Sequence, residues 1–96
     1  MIAFISSRLM RREPDFFGEV ELPLVYIAKK LKEALHVENL LTQADLDYLV
    51  EPDKFMGGFL FRRELTGAFF YVAPESEAAT RELLAREGLR AFVAGE

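Results

Sequence analysis

Few residues in this chain are spaced so that they could do chemistry together. Glu33-x-x-His36 has the one-turn carboxylate–imidazole spacing used in di-iron helical bundles. Such a centre needs a second copy of the motif and further carboxylates, and this chain has one His. The pair therefore reads as a solvated helix face. Asp45, Asp47, Glu51 and Asp53 crowd together, but Leu49 and Val50 stand where a calcium loop would place an oxygen ligand and a Gly. These carboxylates read as solvated charges, and no metal site is expected. There is no Cys, hence no disulfide framework and no thiolate. No Ser-His-Asp, Cys-His or buried carboxylate pair assembles with any specificity. The expectation is a protein that is not an enzyme and carries no cofactor.

Two basic groups remain. Lys29, Lys30 and Lys32 stand at the start of a helix, where free backbone amides and ammonium groups could hold an anion. The opposite consideration is that positive charge there opposes the helix dipole. Gly57-Gly58, with Lys54 before it and Arg62-Arg63 after it, forms the second group. Paired glycines let a backbone approach a ligand closely, and an Arg grips phosphate or carboxylate through two hydrogen bonds. The Gly-Lys-Ser/Thr ending of a P-loop is absent. Lys54, Gly57, Gly58, Arg62 and Arg63 are thus the candidate ligand residues.

The elements that must position these groups belong to one small domain. Ninety-six residues support one core and bury roughly two-thirds of the unfolded surface, so association would add stability. At 51% hydrophobic and 29% charged, the composition is globular rather than disordered. The net charge of −4 disfavours nucleic acid as a partner. No apolar stretch approaches the roughly twenty residues needed to span a bilayer. The expected location is the cytoplasm, with no membrane association.

Residues 1–22 read as an N-terminal arm or extra strand, with Phe16-Phe17 anchoring it. Residues 23–96 read as the domain proper. Leu24–Ala28 is a buried strand, and a helix follows to about Ala44. Leu31, Ala34, Val37, Leu41 and Ala44 make its apolar face, with Glu33, His36, Asn39 and Gln43 opposite. Leu46–Glu51 alternates as a second strand that Pro52-Asp53 ends. Phe55 to Gly58 reads as a loop, Phe59–Phe61 as a short strand, and Arg62–Gly67 as a connection. Ala68-Phe69-Phe70-Tyr71-Val72 is a strand with no polar face, so both of its sides need cover. Ser76 is placed to cap a helix that runs to about Glu87, with Gly88 as its left-handed stop. Ala91–Val93 reads as a final strand.

This order is βαββαβ, the ferredoxin-like α+β arrangement, with an antiparallel sheet and two helices on one face. Its open face would carry the second side of Ala68–Val72.

Three blocks also resemble a small bacterial family of signal-transducing proteins of unknown function. They are Tyr26-Ile27-Ala28 with Glu33-Ala34, then Leu40 to Leu46, then Phe70-Tyr71-Val72-Ala73-Pro74-Glu75 through Ala79 and Leu83-Leu84. The likeness covers roughly 23–88. It departs where lysines replace a polar helix cap, where Asp45 replaces a common Gly, and across residues 1–22. The resemblance implies a ferredoxin-like fold distantly similar to PII-type nitrogen regulators, which are trimers binding nucleotide between subunits. Their nucleotide-contacting residues have no counterpart here.

The function expected on this reading is non-catalytic. The domain would serve in regulation or protein interaction and self-associate, as a dimer or trimer, through the open face of its sheet. Phe59, Phe61, Phe69 and Tyr71 would form that interface, and a further protein partner is compatible with it. The alternative is a small-ligand sensor that binds an anion or nucleotide near Gly57-Gly58, Arg62 and Arg63.

Overall fold

A computed structural model describes residues 10–57 and 62–94. In chain order the elements are β1 (Leu24–Ala28), α1 (Leu31–Gln43), β2 (Tyr48–Gly57), β3 (Arg63–Val72) and α2 (Glu77–Arg86). Short 3-10 turns at Pro14–Phe17 and Pro74–Ser76 precede β1 and α2. The strands form one antiparallel sheet in the order β1-β3-β2. The architecture is α+β, with β3 in the centre. The apolar sides of this strand are both covered: Phe70 and Val72 lie in the core, and Phe69, on the other face, is 7% exposed with the Phe55 ring 6.3 Å away.

One face of the sheet carries the core. Tyr26, Tyr48, Phe70 and Val72 pack with Val37 and Leu41 of α1 and Leu84 of α2 in a single buried cluster. Both helices therefore lie on that face. Phe70 stands at its middle, between the rings of Tyr26 and Tyr48. Full burial of such a side chain contributes about 1.5–3 kcal/mol.

The strands from Leu24 and within Ala68–Val72, and the helix after Lys30, fall where the residue pattern placed them. Several expectations need correcting. Strand β2 does not end at Pro52 but runs on to Gly57, with Pro52 opposite Ala68. Proline is tolerated on an outer strand because its missing N–H need not interrupt the ladder to the neighbour. Residues Arg63–Gly67 are strand rather than connection, since they complete that ladder. Of the expected inward stripe of α1, Ala34, Val37 and Leu41 meet the core, whereas Leu31 at 74% and Ala44 are exposed, and Glu38 is buried beside the stripe. Ser76 makes no side-chain cap, because the preceding 3-10 turn leads the backbone directly into α2.

Ala91–Val93 forms no ladder and is not a strand. It docks beside β1 through one backbone bond, Phe92 N–H to Val25 O at 2.7 Å. The Arg81 guanidinium on α2 secures it by donating to the carbonyls of both Phe92 and Leu24. The Phe59–Phe61 strand lies outside the described residues.

The two helix ends share one geometry. Gly88, at φ 77°, closes α2 with Gly88 N–H to Ala85 O and Leu89 N–H to Leu84 O. Asp45, at φ 58°, closes α1 in the same way with Asp45 N–H to Thr42 O and Leu46 N–H to Leu41 O. Both are Schellman ends, and only the second uses a residue with a Cβ in the left-handed region.

The arm before β1 is fastened to the outer side of β2. Arg11 bridges Tyr48 in parallel, with Tyr48 N–H to Met10 O at 3.1 Å and Arg12 N–H to Tyr48 O at 2.7 Å. The buried Glu38 carboxylate accepts from the Tyr48 hydroxyl at 3.0 Å and pairs with Arg11 at 3.1 Å. Arg12 pairs with Asp47 at 2.6 Å. Glu38 is buried because these two partners replace its water.

Candidate functional site

The site grows out of unequal strand lengths. Strands β2 and β3 are ten residues each, and β1 is five. The hairpin therefore overhangs the end of β1. Beneath the overhang, between β1 and the chain that follows α2, is a cleft of about 650 Å³. Tyr26, Ile27, Phe55 and Phe92 supply its apolar walls, and Lys29, Arg62, Arg90 and Glu33 supply its charge.

Glycine shapes the wall. A Cβ on Gly67 would meet Ala28 O and Phe55 Cε1 at 3.0 Å and Ile27 Cγ2 at 3.1 Å. The bare backbone at Gly67 is what lets the Phe55 ring lie across the sheet toward β1. A Cβ on Gly57 would come within 2.9 Å of Leu65 Cδ1 and 3.1 Å of the Phe55 ring. The missing side chain of Gly57 thus makes room for Phe55 and Leu65.

The polar end of the cleft is organised around Glu33. Its Oε2 accepts from the Tyr26 hydroxyl at 2.6 Å, and its Oε1 accepts the Lys29 amide at 2.9 Å. Lys30, at the N-cap of α1, makes no side-chain cap. Glu33, three residues in, reaches back past the N-cap to the Lys29 amide and so ties the turn before α1 to its first turn. Burial raises the Glu33 pKa, but the Tyr26 hydroxyl, the Lys29 amide and the charges of Lys29 and Lys30 outweigh it, and the net displacement is downward. The Tyr26 hydroxyl is driven well above its ordinary value, first by burial and then by the Glu33 carboxylate. Lys29 Nζ lies 5.9 Å from the centre of the Phe55 ring, at the outer limit of a cation–π contact.

Two groups that are distant in sequence meet here. Lys29 from the lysine cluster and Gly57 with Arg62 from the glycine–arginine segment line the same cleft. Lys54 and Arg63 do not line it. Lys54 faces Glu64 across the ladder at 3.8 Å, an exposed pair that contributes little. Arg63 is exposed opposite Gly57. Gly58, Phe59 and Phe61 lie outside the described residues. Tyr26, Phe55, Arg90 and Phe92 were not singled out from the sequence, because nothing local to them marks a site.

Phe69 and Tyr71 lie on the sheet face away from the helices. Leu49 is opposite Tyr71, and Ile27 and Glu51 flank Phe69. Phe69 is 7% exposed and Leu49 8%, so the middle of this face is not a bare apolar surface. The Tyr71 pKa is raised, by burial first and then by the charges of Asp53 and Glu51, which border the same face.

Among the described residues no group of three or more His, Asp or Glu could hold a metal ion. No described helix is long and apolar enough to cross a membrane. Comparison with protein-family models, with curated proteins and with solved structures returns no match for this chain.

Proposed function

We propose that this domain is a non-catalytic sensor that takes a small organic anion with a planar or apolar body into the cleft under the β2–β3 hairpin. The observation that carries this reading is the convergence of Lys29 and Arg62 on one cleft, where among the described residues Glu33 is the lining carboxylate, in a chain whose net charge is −4. A locally cationic recess in an acidic protein concentrates anions where it can hold them. Guanidinium and ammonium groups supply the donors that phosphate or carboxylate oxygens accept. Phe55, Phe92 and Ile27 offer apolar area for the rest of the ligand. Glu33 is ionised and already engaged by two donors, which suits positioning rather than proton transfer.

The fold that suits this reading is the ferredoxin-like one, with the segment at Phe92 standing beside β1 in the place of a fourth strand. That fold would agree with the resemblance to signal-transducing proteins. Self-association through the other sheet face is less well supported. Phe69 and Leu49 are already covered, which leaves little apolar area on that face for a second copy.

The test is thermal melting in the presence of nucleoside phosphates and aromatic carboxylates, one at a time. A ligand at a hundredfold its dissociation constant stabilises by about 2.7 kcal/mol. For a domain of this size that is a rise in Tm on the order of 10 °C. The rise is expected with at least one compound and is expected to vanish in the Lys29→Met, Arg62→Met double variant. A flat response across both classes would sink the proposal.

A further inference from the structure

The two outer edges of the sheet are occupied unequally. On the edge of β2, the Tyr48 backbone holds the arm: its N–H donates to Met10 O at 3.1 Å, and its C=O accepts from Arg12 N–H at 2.7 Å. That is one station of a parallel ladder. On the edge of β1, Val25 O accepts from Phe92 N–H at 2.7 Å. Two residues further along stands Ile27. Val72 of β3 donates to Pro23 O on the β1 side, so Phe70 and Ala68, in alternation with it, also face β1. Tyr26 and Ala28 are their partners. Ile27, between those two, therefore turns its N–H and C=O away from β3, to the side on which Phe92 meets Val25. Neither group has a hydrogen-bond partner among the described residues. Ile27 lines the cleft together with Lys29 and Phe92.

We infer that the cleft binds a short peptide with a free terminal carboxylate, added to β1 as a strand at Ile27. The inference rests on the reading of the cleft as an anion site and names the class of anion. Unpaired backbone groups on a strand edge recruit extended chains. In the parallel arrangement that Tyr48 already shows, three residues engage one station. The first offers its C=O to Ile27 N–H, and the third gives its N–H to Ile27 C=O. Lys29 follows the end of β1, so a ligand running parallel to β1 brings its terminal carboxylate to the cationic end. There Lys29 and Arg62 supply donors. Phe92 fills the preceding station at Val25, so the bound chain cannot continue backward along β1 and the ligand is short. Phe55 offers apolar area to its last side chain. A simple aromatic carboxylate uses the same cations and leaves both Ile27 groups unanswered.

The probe is N-acetyl-alanyl-phenylalanine, whose acetyl group stands for the first residue, titrated into the full chain by calorimetry. Saturable binding is expected. Two analogues isolate the two halves of the site. Methylation of the phenylalanine nitrogen removes the donor to Ile27 and keeps the carboxylate, and conversion of the carboxylate to an amide does the reverse. Each should weaken binding at least about tenfold. The Lys29→Met, Arg62→Met variant should bind the acid no better than the amide. A longer peptide with the same last two residues should bind more weakly, because Phe92 stands in its path. Amide exchange at Ile27 should slow at least about tenfold on saturation. No saturable binding of the acid, equal binding by the N-methyl analogue, equal or tighter binding by the longer peptide, or unchanged exchange at Ile27 would each overturn the inference. Aromatic carboxylates carry no such amide, so a Tm rise with them that survives any of these failures leaves the cleft reading standing.

Discussion

The Tyr26 hydroxyl donates to Glu33 at 2.6 Å, and through that bond the end of β1 is tied to the first turn of α1. The other oxygen of the same carboxylate holds the Lys29 amide at 2.9 Å. One side chain thus fixes the strand–helix turn at the polar end of the cleft.

Tyr26→Phe removes the hydroxyl and leaves the carboxylate with one protein partner. A charge-assisted bond at a half-buried site supports a loss of about 1 kcal/mol. That should read as a drop in Tm of about 4–8 °C. The pH dependence has a definite sign. Glu33 is held below its ordinary value of 4.5, so its contribution is present above that value and is lost as pH falls through the lowered one. Tyr26 is raised above its ordinary 10.0, so its contribution is intact below pH 10.0 and is lost as pH rises beyond it. The stability gap between parent and Tyr26→Phe, measured by urea unfolding, should hold at neutral pH and close below pH 4.5. A gap that persists unchanged into acid would contradict the role given to Glu33.

Arg81 is the fastener of the chain after α2. Its guanidinium pairs with Glu77 at 3.0 Å and donates to the carbonyls of Leu24 and Phe92. Arg81→Ala should cost about 1–2 kcal/mol and speed amide exchange at Phe92, whose N–H bonds to Val25. Arg81→Lys should recover less than half of the loss, since an ammonium lacks the planar fork that reaches two carbonyls. Unchanged exchange at Phe92 in the alanine variant would show that the segment holds without Arg81.

Asp45 ends α1 in the left-handed region at φ 58°. A glycine there relieves the Cβ strain, partly offset by its larger unfolded-state entropy. Asp45→Gly should therefore stabilise by about 0.5 kcal/mol, visible as a small rise in Tm. An unchanged or lowered Tm would mean that the Asp45 carboxylate contributes more than its backbone costs.

Local pattern was enough wherever structure depends on neighbours in the chain. The β-branched and aromatic run Leu24–Ala28 is a strand, the three-four spacing through Val37 and Leu41 is a helix, and Gly88 stops α2. These are short-range effects of side-chain shape and backbone freedom. The extent of β2 was not legible, because Pro52 ends a strand or continues one depending on which side of it another strand lies. The exposure of Leu31 and the burial of Glu38 were not legible either, since Glu38 goes inside only because Tyr48 and Arg11, distant in the chain, supply its partners. Composition and local pattern were sufficient for a small α+β domain, acidic and without cysteine, that carries two basic segments. The packed fold alone brings Lys29 and Arg62 to one cleft with Tyr26, Phe55 and Phe92. That meeting follows from strand register and from a hairpin longer than β1, and no spacing along the chain encodes either of them.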